Sequence, residues 1–107
     1  MKAPTMLPGV GLTVGTINSS EVASISAGGF QTVTGSVEKT GAMPLGIVGF
    51  NINSNGGSGQ SGCMLYKCYM YLDTSTNTHK YYLSFRNVAT SAATKIYAQV
   101  TVLYLTN

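Results

Sequence analysis

Between Lys95 and Leu105 the chain alternates without a break: Ile96, Ala98, Val100, Val102 and Tyr104 fall on one side, and Tyr97, Gln99, Thr101, Leu103 and Leu105 on the other. A repeat of two residues is the signature of a β-strand, because successive side chains point to opposite faces. The 3.6-residue period of an amphipathic helix is sustained nowhere in the chain. The best helix candidate is Ala89 to Ala93, and its neighbours Thr90, Ser91 and Thr94 favour a hairpin loop instead.

Other runs repeat the pattern. Near 30–39, Val33, Gly35 and Val37 share one face, with Thr32, Thr34, Ser36 and Glu38 opposite. Near 45–53, Val48, Phe50 and Ile52 are expected to face inward and Asn51 and Asn53 outward. In 80–88, Tyr81, Leu83 and Phe85 oppose Tyr82, Ser84 and Arg86. Weaker strands are expected over 10–18 and 20–26, and another strand over 63–72. About seven short strands separated by turn clusters predict an all-β fold without significant helix, an antiparallel β-sandwich of jelly-roll-like form. Residues 1–9, broken by Pro4 and Pro8, read as a flexible lead-in, and 10–107 as one domain.

Two strands depart from a clean in-and-out pattern. In 63–72, Met64, Tyr66, Cys68, Met70 and Leu72 are expected on one face, yet Leu65, Lys67, Tyr69 and Tyr71 opposite are also largely apolar or aromatic. The last strand carries Leu103 and Leu105 on its outer side. A strand apolar on both faces is buried on both. The second cover is either a subunit interface or a covering loop, and Leu65, Tyr69, Tyr71, Leu103 and Leu105 are the candidate interface residues. Composition bears on this choice. Charged residues make up only 8% of the chain, against about 25% in ordinary soluble domains. Hydroxyls, amides and glycine take their place, a surface suited to assembly or to meeting sugars.

The formal charge is +3, but Lys2, Lys39, Lys67, Lys80, Arg86 and Lys95 are scattered, so nucleic acid is not an expected partner. An apolar run of about 18 residues is missing, which argues against membrane insertion, and the N-terminus lacks the apolar centre of a signal peptide. Cys63 and Cys68 are five apart. In one regular strand that spacing puts them on opposite faces, about 16 Å apart, beyond the ~7 Å reach of a disulfide, so both are read as free thiols. His79 is the one histidine, which makes a zinc site within the chain improbable, and no motif calls for a cofactor.

Catalytic chemistry finds little support. The acids are Glu21, Glu38 and Asp73. Asp73 and His79 flank the turn Thr74-Ser75-Thr76-Asn77-Thr78 and could be imagined beside a serine as a triad, but an exposed hairpin end explains them equally well. Glycines near Gly9 and Gly11 lack the Gly-Lys-Ser/Thr ending of a phosphate loop. The segment from Asn53 to Gly62 is a low-complexity Gly/Ser loop. Tyrosine is the suggestive type: Tyr69, Tyr71, Tyr82 and Tyr97 are expected to share an outer face, as a subunit contact or a sugar-stacking platform.

The stretch from Gly46 to Asn107 resembles the C-terminal β-domains of bacteriophage and prophage tail proteins. The resemblance rests on Leu45-Gly46-Ile47-Val48-Gly49-Phe50, the Gly/Ser loop, Tyr81-Tyr82-Leu83-Ser84-Phe85-Arg86-Asn87, and the terminal strand ending Val102-Leu103-Tyr104-Leu105. It covers a little over half the chain and is one of texture. It implies a non-catalytic, homotrimeric receptor-binding or tail-fibre module that contacts a host-surface glycan or protein, carried on a virion after cytoplasmic synthesis. A monomeric carbohydrate-binding module and a structural virion component without ligand are the alternatives.

Overall fold

The computed structural model describes residues 11–56 and 62–106. The lead-in expected over 1–9 and the centre of the Gly/Ser loop lie outside the described residues. Seven strands follow in order: β1 (Gly11–Asn18), β2 (Val22–Ile25), β3 (Phe30–Ser36), β4 (Ala42–Ser54), β5 (Cys63–Asp73), β6 (Thr78–Asn87) and β7 (Ala93–Thr106). The described residues contain no helix.

The strands form two antiparallel sheets packed face to face. In the four-stranded sheet β7 is central, with β4 along one edge and β1 then β2 along the other. In the three-stranded sheet β6 is central between β3 and β5. β1 and β2 are one edge strand interrupted at Ser19. There Ser19 N–H donates to Ala98 O (2.8 Å), and its hydroxyl accepts from Ala98 N–H (2.9 Å). A side-chain oxygen thus stands in for the missing ladder carbonyl, so the break leaves no buried amide unpaired.

The core is where the two central strands face each other. Tyr81, Leu83 and Phe85 of β6 meet Ile96, Ala98, Val100, Val102 and Tyr104 of β7, all essentially inaccessible, with Ile25, Val37 and Ala93 closing the ends. The alternation in 80–88 and 95–105 therefore gives the correct inward set. Tyr104 buries its ring and donates its hydroxyl to Val37 O (2.7 Å), tying the sheets together. Asn87, fully buried at the end of β6, is a second tie. Its amide donates to Ile25 O (3.0 Å) and Ser91 O (2.8 Å) and accepts from Ala89 N–H (3.0 Å). Every polar atom of that side chain is used, which is how a buried amide is tolerated.

Two strands differ from the sequence expectation, for one reason. β5 carries a bulge at Tyr66: Leu65 pairs with Phe85 and Lys67 with Ser84, so one extra residue shifts the parity. Leu65 consequently faces the core and packs against it rather than serving as an outward interface residue. Cys63 and Cys68 end on the same inward face, not on opposite faces, and both are free thiols. β4 carries irregularities between Pro44 and Gly46 and between Ile47 and Gly49. Val48 therefore sits in a bulge and is exposed. Phe50, opposite Val100, keeps the inward parity but lies half in solvent on the edge strand. Ile52 packs on the core as expected, joined by Ile47.

Candidate functional site

With the inner faces consumed by the core, outward chemistry is left to the outer face of each sheet. Directly paired residues of antiparallel strands share a face, so the register fixes both surfaces.

On the three-stranded sheet the outward rows pair Phe30 with Arg86 and Met64, Thr32 with Ser84 and Lys67, Thr34 with Tyr82 and Tyr69, and Ser36 with Lys80 and Tyr71. Tyr69 and Tyr82 stack with ring centroids 4.9 Å apart and planes 15° from parallel. That separation equals the spacing between strands, about 4.8 Å, so the rings stand upright and each covers a face of the other. Tyr71 meets Tyr69 edge-on at 6.2 Å. At the other end Phe30 and Tyr66 pack edge to face at 5.6 Å. The Arg86 guanidinium lies 5.1 Å from the Phe30 centroid, and the Lys67 ammonium 5.8 Å from that of Tyr66. Both distances are within cation–π range. The β5 bulge makes this possible, because its extra residue lets Tyr66 and Lys67 both reach the outer side.

Carboxylates are confined to the opposite margin of this sheet. Asp73 accepts from Ser75 N–H (3.0 Å) and Ser75 O–H (2.6 Å), and pairs with Lys80 at 2.8 Å. The neighbouring ammonium and these hydrogen bonds hold its carboxyl well below the usual range. Glu38 accepts from His79 N–H and contacts His79 Nδ1 at 2.9 Å, which lowers its pKa as well. Asp73 and His79, which the sequence places beside one turn, therefore take different partners and do not pair. Asn77, at φ 53°, makes the left-handed residue of that turn, a conformation Asn tolerates well. Among the described residues no carboxylate pairs with Lys67 or Arg86.

Tyr69, Tyr71 and Tyr82 are thus brought together as expected. Tyr97 is not with them: it lies on the outer face of the other sheet, opposite Asn53. The four-tyrosine face splits because β6 and β7, though consecutive in the chain, belong to different sheets. Phe30, Tyr66, Lys67 and Arg86 were not singled out by the sequence pattern. Their grouping depends on β3 and β5 flanking β6, which no local signal encodes. The two thiols are partly desolvated, which pushes their pKa up and favours the protonated form.

The outer face of the four-stranded sheet carries Leu103 and Leu105 at half-buried positions. A shallow open depression lined by Gly41, Ala42, Met43 and Leu105 lies at its edge. Compared with known proteins, the chain matches no family model, no curated protein and no solved structure.

Proposed function

We propose that the chain is a non-catalytic module of the phage-tail, receptor-binding type. It assembles with copies of itself and meets a host cell surface through the outer face of the three-stranded sheet. The observation that supports this reading is the aromatic and cationic surface of Phe30, Tyr66, Lys67, Tyr69, Tyr82 and Arg86. Tyr and Arg are the residues most enriched at binding hot spots, because they offer large, stiff area with polar tips. Here stacking and cation–π contacts hold them in place before any partner arrives, which lowers the ordering cost of binding.

Immobilised bacterial cell-wall polysaccharides and a glycan array test it. The wild-type chain binds at least one member, and Tyr82→Ala and Arg86→Ala each weaken that binding about tenfold, the scale of a 1–2 kcal/mol contact. Binding to nothing on either surface, or binding untouched by both substitutions, sinks the reading. A monomeric carbohydrate-binding module is the second reading, favoured by the exposed rings of Phe30 and Tyr66. It separates from the first by molecular mass, since it requires a single chain in solution.

A further inference from the structure

The outer face of the four-stranded sheet has no part in that contact surface. Its register sets down rows across three strands. Leu12, Leu105 and Met43 form the first, and Val14, Leu103 and Gly46 the second. Thr16, Thr101 and Gly49, then Asn18, Gln99 and Asn51, continue toward Tyr97 and Asn53. The bulges of β4 add Leu45 and Val48 as extra exposed residues. Leu12, Val14, Met43 and Val48 are each more than half exposed, at 57, 58, 55 and 59%. A contiguous apolar surface of this kind is rarely left in water by a soluble domain.

None of these rows contains a charge. Lys67, Asp73, Lys80 and Arg86 lie on the three-stranded sheet and Glu38 at its margin, and the Lys39 ammonium lies over the Tyr104 ring, on the inner side of the four-stranded sheet. Glu21 and Lys95 lie past the Asn18 end, where Glu21 accepts from Asn55 Nδ2 (2.9 Å). The face therefore grades from an apolar end at Leu12, Leu105 and Met43, through polar rows, to a charged end at Glu21 and Lys95.

We infer that this face is covered by a second copy of the same chain. The inference rests on the reading that the chain self-assembles, and it names the surface that does so. An uncharged face can meet its own copy without repulsion, whereas the opposite face would bring Lys67 and Arg86 against their duplicates. Size agrees. β7 has 14 residues, about 47 Å at ~3.4 Å each, and three strands are about 14 Å wide. The whole outer face, its polar rows and the Lys95 end included, thus offers about 650 Å² in projection, on the scale of the ~800 Å² per partner of a standard interface. The rival occupant is the segment 1–10, which precedes Gly11 at the apolar end of β1; replacing its Met6 and Leu7 tells the two apart.

Sedimentation equilibrium of the full chain from 1 to 100 μM tests this. Wild type runs at two or more multiples of 11.2 kDa. Val14→Lys with Met43→Lys, both pointing away from the core, runs at one multiple with an unchanged β-sheet circular dichroism spectrum. Tyr69→Ala with Tyr82→Ala, on the other face, keeps the wild-type mass, as does Met6→Ser with Leu7→Ser. If the lysine pair fails to fold, Leu12→Ser with Val48→Ser reads the same face more gently. A wild-type chain that is monomeric at 100 μM overturns the inference, as does a folded face variant that keeps the wild-type mass. Dissociation by the tyrosine pair assigns assembly to the other face and also overturns it. A rise in mass on replacing Met6 and Leu7 makes the lead-in the cover, with the same consequence. Glycan binding is read on separate surfaces, so a chain that binds but does not assemble is told apart from one that assembles but does not bind.

Discussion

Two surfaces of this molecule share one architecture and almost no chemistry. Outside β7, the rows are leucine, valine and methionine giving way to threonine, asparagine and glutamine, with no charge until the border. Outside β6, they are tyrosine and phenylalanine interleaved with arginine and lysine. Both sheets fill the same core with similar inward residues, so the core does not require this difference. The lesson is that inward positions in a thin sandwich specify the fold, while outward positions are available to specify partners. An aliphatic, uncharged face is suited to dehydration over its whole area. An aromatic and cationic face suits a few directional contacts at a wet surface.

The strongest way to break this comparison is to find an outward position that behaves like an inward one. Leu83→Ala, at the inaccessible centre of β6, costs about 2–5 kcal/mol in urea unfolding. Val14→Ser, measured in dissociated chain, stays within about 0.5 kcal/mol of wild type. If the two costs are equal, the division between fold and partner surfaces is wrong. Next is Asn87→Ala, which strands the Ile25 and Ser91 carbonyls and the Ala89 amide. It is expected to cost about 1–3 kcal/mol and to loosen the packing of one sheet on the other, visible as faster amide exchange in β2. Intact protection of Ile25 would show that the Asn87 amide does not hold β2 to the end of β6.

Smaller effects sharpen the contrast between the faces. Tyr82→Ala removes the stacked ring and costs about 0.5–1.5 kcal/mol beyond lost area, a loss that Tyr82→Phe largely restores. If the phenylalanine variant is as unstable as the alanine one, the hydroxyl and not the stack is what matters. The smallest effect is acid dependence. Asp73 and Glu38 both titrate below their ordinary range when folded. Such groups stabilise the fold above their unfolded pKa, and that contribution fades as pH falls through the folded value. Melting temperature therefore declines below pH about 4.5, modestly, because both groups are exposed and screened. Glu38→Gln flattens part of that decline. Both carboxylates belong to the three-stranded side, so the first amides to lose protection in acid lie near Thr78 and His79, not along β1. Early loss along β1 would contradict the assignment.

The sequence by itself determined the strand count, the sandwich, and the facing of β3, β6 and β7. Those strands alternate without interruption, and a period of two is written in each residue's immediate neighbours. The tertiary structure decided what alternation cannot carry. Single extra residues broke the alternation: the one at Tyr66 put Leu65 and Cys63, which precede it in β5, on the same inward face as Cys68, and the one at Val48 left that residue outside. β1 presents Leu12 and Val14 to solvent and turns Thr13 and Gly15 inward, because the Tyr104 ring already fills that space: a Cβ on Gly15 would lie 3.1 Å from it. Tyr97 parted from Tyr69, Tyr71 and Tyr82 because neighbouring strands in the chain entered different sheets. Bulges, ring volume and strand partnership are settled between segments far apart in the chain. They therefore left no local pattern to read.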